Sequence, residues 1–171
     1  MRKISSRQVG FLKVSKRETD EDAIIRKMRS ALKKDPVVIK AFKEYGVSLS
    51  ELDHASIEFA DLDVSAKTKN KKIYINRRLL DKVDKIDVAS YLIHEIRHLL
   101  QQLTGKTKGN QARDYLEKET EIDAFEDQIE FKKNHKGEPA AEKYTEELVD
   151  YHGYQGKEKK DKMKELMGDG K

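Results

Sequence analysis

The chain has 171 residues, 40% charged and 36% hydrophobic, which suits one domain with a small core and a heavily solvated surface. Its 36 basic and 32 acidic residues are largely interspersed, so a net charge of +4 does not call for a nucleic-acid partner. There is no cysteine, which excludes disulfides, thiolate zinc sites and iron–sulfur clusters and leaves nitrogen and oxygen to hold any metal.

Residues 1–18 read as a basic arm, with Arg2, Lys3, Arg7, Lys13, Lys16 and Arg17 against one acid, Glu18. The basic start lacks the apolar stretch of a secretory signal, and no apolar run nears the ~18 residues of a membrane span. A cytoplasmic location with no membrane contact is therefore expected. Thr19 or Asp20 can cap a helix reaching residue 34, with Ala23, Ile24, Met28, Ala31 and Leu32 as its apolar stripe. Pro36 ends that helix and opens a second over 36–45, which Gly46 stops. Segments 55–60 and 71–76 alternate apolar and polar residues, as half-buried strands do. With 67–70 as a polar turn between them, they predict a small antiparallel hairpin, leaving room for a third strand near 62–64. A short helix over 77–83 follows.

Residues 86–103 carry a strong helical pattern. Val88, Leu92, Ile96, Leu99 and Leu103 give a buried stripe, widened by Ala89, Ile93 and Leu100; Asp84 or Asp87 can cap the start and Gly105 the end. Asp87, Tyr91, His94, His98 and Gln101 or Gln102 fall on the other side, a polar stripe suited to a cleft floor. Within it, His94-Glu95-Ile96-Arg97-His98 reads H-E-x-x-H. Two imidazoles four apart lie one turn above each other and can reach one Zn²⁺ at about 2.0–2.1 Å. Glu95, between them, is placed to act as general base on a water in an open metal position.

After a loop over 104–109, Asn110 can cap a long helix to residue 134. Gly137 and Pro139 break it, another helix spans 140–151, and the charged residues from 157 onward suggest a solvated helix or frayed tail. The chain then divides into an arm (1–18), a domain (19–155) and a charged C-terminal tail (156–171). The long helix offers a third ligand. On that helix Glu119 has Tyr115, Leu116 and Ile122 among its neighbours and faces inward, where a metal would compensate its burial. Asp123, one turn on, could orient a ligating imidazole. Glu121 and Asp123 stay open as alternative ligands. Arg97, Tyr151, His152 and Tyr154 are candidate donors to a developing oxyanion, and His54 and His135 read as surface histidines.

His94-Glu95-Ile96-Arg97-His98, followed by Glu119-x-x-x-Asp123 and preceded by the strand at 73–76, resembles the zincin metallopeptidases of the gluzincin type, across about residues 55–130. The resemblance implies an α+β, mostly helical single domain with a small sheet and an active-site helix. It implies Zn²⁺ on His94, His98 and Glu119, with Asp123 behind them, and hydrolysis of a peptide or protein substrate with Glu95 as base. An extended substrate would pair with the strand at 72–76. Two other classes compete: a zincin-like protein-binding module whose metal is structural, and a metal-free basic nucleic-acid binder.

Overall fold

A computed structural model describes residues 20–106 and 114–168. Helix α1 (Asp20–Leu32) buries Ile25, Met28 and Leu32. Helix α2 (Pro36–Tyr45) starts where Asp35 accepts a hydrogen bond from Val37 N–H, and ends at Gly46 with φ 63°. A one-turn helix, α3 (Glu51–His54), leads to the sheet. Thr19, the alternative cap of α1, and the whole basic arm lie outside the described residues.

The sheet has three strands in the order β1-β3-β2: β1 (Ser56–Ala60), β2 (Ala66–Lys69) and β3 (Lys72–Asn76). β1 runs parallel to β3 and β2 antiparallel to it. This corrects the expected hairpin. The two alternating segments are parallel neighbours, and the stretch expected to be a turn is itself an edge strand. The true turn is Asn70-Lys71, with φ 52° and 60°, the left-handed pair that a two-residue hairpin requires. Lysine is a poor choice for that conformation. Its N–H is held by the Gln102 side chain at 2.8 Å. Asn76 donates to Leu62 O and Val64 O at 2.9 and 3.0 Å, which pins the crossover from β1 to β2.

After α4 (Leu79–Lys82), helix α5 (Lys85–Thr104) runs from an Asp84 cap to Gly105 at φ 72°. Its apolar stripe faces the sheet, α1 and α2, and forms the main core with residues such as Phe42, Leu52, Ile73 and Ile75. Leu103, expected in that stripe, is exposed at the helix end. A 3₁₀ turn (Tyr115–Glu117) precedes α6 (Glu119–Lys136), α7 (Glu138–Tyr151) and α8 (Gly156–Met167). The last three helices close a second apolar cluster around Phe125, Ile129, Val149 and Leu166. The segment expected to be a solvated helix or a frayed tail is the helix α8, docked on the body through Leu166, which is fully buried. No described helix is long and apolar enough to cross a membrane.

Helix α6 sits between the two clusters, giving Phe131 to the first and Phe125 and Ile129 to the second. Its contact with α5 mixes these rings with polar pairs such as Arg97–Asp127 and Gln128–Ser90, and the candidate site lies in that seam.

Candidate metal centre

His94 and His98 project from one face of α5 because they are four residues apart. Their Nε2 atoms are 3.1 Å apart. Glu121, in the first turn of α6, brings Oε2 to 3.4 Å from His94 Nε2 and 3.2 Å from His98 Nε2. Donors about 2.0–2.1 Å from a tetrahedral ion stand about 3.3–3.4 Å apart, so the triangle has the size of three corners around one metal. These three residues form a group that can hold a metal ion.

Their hydrogen bonding points the same way. Glu121 Oε2 is buried and receives no hydrogen bond, and neither does the far nitrogen of His94, Nδ1. A buried carboxylate oxygen without a donor is costly unless a cation faces it. Burial raises the proton affinity of Glu121, but the facing His94 and His98 rings win, holding its carboxyl well below the usual range. Burial works against a charge on His98, yet the nearby Glu121 raises its pKa overall. Both shifts express one interaction, an anion held beside two imidazoles.

The surroundings are ordered. His94 packs edge-on against Phe125 with ring centroids 4.4 Å apart. His98 Nδ1 lies 2.8 Å from Gln101 Oε1. Glu95 is buried, and the Thr68 hydroxyl on β2 lies 2.7 Å from its Oε2 and 3.0 Å from its main-chain O, with one proton to share between them. His94 and Glu95 open onto a cleft of about 390 Å³. Its walls come from the crossover before β2 (Asp63 to Ala66), from Tyr91, Tyr115, Phe125 and Gln128, and from α7 with Tyr144, Leu148, Tyr151 and His152.

Several expected roles are reassigned by these positions. The acid brought to the imidazoles is Glu121, whereas Glu119 is exposed at the first residue of α6. The inward orientation of Glu119 assumed one helix running through residue 115, but the chain breaks at Lys118, between the 3₁₀ turn and α6. Tyr115 and Leu116 are then not its helical neighbours. Asp123 faces Arg97 at 3.5 Å rather than a ligating histidine. Arg97 is buried away from the cleft, 2.7 Å from Glu44 and 3.2 Å from Asp127, with its guanidinium 4.8 Å from the Tyr45 ring centre, so it is not placed to meet an oxyanion. Tyr151, 86% exposed, and His152 do line the cleft. Tyr154 instead packs with the second apolar cluster. His135 is exposed and hydrogen-bonded to Asp35 at 2.8 Å. The expected cap Asn110 lies outside the described residues.

Three site residues had no role assigned from sequence: Thr68, Tyr115 and the amide of Gln101. Tyr115 is among the groups that lower the Glu121 carboxyl, and it stacks on His152, with ring centroids 5.4 Å apart and planes 5° apart. One sequence signal was available for Glu121: Glu119, Glu121 and Asp123 in succession mark a helix N-terminus, where acids favour the dipole. No protein-family model, curated protein or solved structure matches the chain.

Proposed function

We propose that the protein is a zinc-dependent peptidase that holds its metal on His94, His98 and Glu121 and uses Glu95 as general base. One observation carries the reading: three donor atoms converge at tetrahedral spacing beside a buried glutamate that opens on the same cleft. Two nitrogens and a carboxylate oxygen, with no thiolate in the chain, suit zinc with a position left open for chemistry. Zinc bound there would polarise a scissile carbonyl and acidify a water. Glu95 takes the proton of the attacking water and returns it to the leaving amine. The Thr68 hydroxyl fixes the Glu95 carboxylate, and Tyr115 buttresses Glu121. Tyr151 and His152 stand at the cleft wall as donors available to a developing oxyanion.

The edges of the sheet favour an extended substrate, though not on β3, which is the central strand. The outer edge of β1 is blocked: Arg29 donates to Ala55 O at 2.7 Å and Arg77 to Phe59 O at 3.2 Å. Ser65 O accepts from Asn76 N at 2.9 Å, so in the antiparallel ladder Ala66 and Thr68 turn their main-chain groups outward from β3. At Thr68 the Gln102 amide reaches the main-chain O at 3.5 Å, but Ala66 lines the cleft, and there a peptide strand can add to the edge.

Replacing Glu95 by Gln tests the proposal. The variant should keep its zinc and lose about 10²–10⁴-fold in cleavage of an unstructured, fluorescently labelled protein. Equal rates would remove Glu95 as base. A zinc-loaded wild type that cleaves no unstructured protein would favour a binding module with a structural metal.

A further inference from the structure

Gln101 is only 1% exposed, one turn beyond His98 on α5. Both ends of its amide are engaged. Nε2 donates to Thr120 O at 2.9 Å, and Oε1 lies 2.8 Å from His98 Nδ1.

The polarity of this chain of bonds is fixed. A main-chain carbonyl can only accept, so the NH₂ end of Gln101 faces Thr120 and its oxygen faces His98. An imidazole nitrogen facing an acceptor carries the proton. Neutral His98 is therefore the Nδ1–H tautomer, and its Nε2 lone pair points towards His94 and Glu121. The other end of the amide holds the carbonyl of Thr120, the residue before Glu121. One side chain on α5 thus sets the tautomer of one metal donor and ties down the backbone that carries another. His94 has no such partner at Nδ1 and is oriented by the Phe125 ring.

We infer that Gln101 is the positioning residue of the metal centre, holding His98 and the first turn of α6 in ligating geometry before any metal arrives. The inference rests on the metal reading proposed above. Partners of this kind are worth about 10–100-fold in metal affinity.

The test compares full-length wild type, Gln101→Met and Gln101→Glu by zinc competition against a chromophoric chelator. Gln101→Met, of similar length and without either hydrogen bond, should bind zinc about 10–100-fold more weakly. It should also lose the exchange-protected His98 Nδ1–H signal in the NMR spectrum of the zinc-loaded protein. Gln101→Glu keeps the acceptor for His98 and loses the donor to Thr120. It should hold zinc within about tenfold of wild type while melting lower in chelator. A Gln101→Met chain that binds zinc as tightly as wild type overturns the inference, and so does one that keeps the protected His98 Nδ1–H signal. A wild type that takes up no zinc sinks the metal reading itself, which separates the two failures.

Discussion

Helices α5 and α6 bury two carboxylate clusters in the same seam, and the two are balanced in opposite ways. In one, the Arg97 guanidinium faces Glu44, Asp127 and Asp123 at 2.7, 3.2 and 3.5 Å. A guanidinium is a permanent cation, so that cluster needs none from solution, although the Arg97 Nε is buried without an acceptor. In the other, Glu121 faces two imidazoles, whose charge is conditional. The carboxylate there has no fixed cation among the described residues, and its inward oxygen has no donor. A cluster that owns its cation holds helices together; one that lacks it can take an ion from solution and release it again. Neighbouring residues of one motif, Arg97 and His98, thus serve different ends because they point to different sides of α5.

The largest expected effect on metal binding comes from breaking the open cluster. Wild type should bind about one zinc per chain, and zinc at 100 times its Kd should add about 2.7 kcal/mol of stability. Glu121→Gln removes the anionic donor and should abolish both the stoichiometric zinc and the stabilisation, measured by metal analysis and by thermal melting with and without zinc. If Glu121→Gln keeps both, the contrast between the clusters is void.

The matching change in the closed cluster should do the reverse. Arg97→Met leaves three carboxylates without their cation, and losing one partner of a buried pair costs about 3–5 kcal/mol. Denaturant unfolding should register that loss. The zinc content of the folded fraction should stay at the wild-type level, because Arg97 is not a member of the donor group. Zinc lost along with stability would mean that the two clusters form one network.

The sequence reveals one of these clusters and hides the other. His94, Glu95 and His98 are legible because their relation is internal to one helix, where spacing fixes geometry. The helix itself is legible from its stripe, its Asp84 cap and Gly105. Arg97 reads as a cleft residue because its partners lie on α2 and α6, 53 and 30 positions away in the chain. Glu121 depends on where α6 begins, and a shift of that start from 110 to 119 changes which acid faces α5. The strand order misleads for a similar reason: alternation marks a strand but not its neighbour. Leu166 and Met163 look like isolated apolar residues in a charged tail until α6 and α7 supply the surface that covers them.

The smallest effect lies inside the closed cluster and is a matter of pH. Arg97 has one charge to offer three acids. Glu44 and Asp123 reach solvent, while Asp127 is buried. Burial raises the Asp127 carboxyl, Arg97 lowers it and Glu44 raises it again, leaving it at about 7. An unfolded aspartate titrates near 3.9. Between those values the folded chain holds a proton on Asp127 that the unfolded chain has released, so this group's contribution to stability falls as pH rises from about 4 to about 7. A neutral asparagine side chain at this position would imitate the protonated acid at every pH. Asp127→Asn should therefore leave stability nearly unchanged at pH 4 and exceed wild type by about 1–2 kcal/mol at pH 8. Urea unfolding of both chains across that range, with zinc chelated, reads the difference directly and cancels the titrations they share. A wild type that gains on Asp127→Asn as pH rises would mean that Asp127 stays ionised and that Arg97 satisfies all three acids.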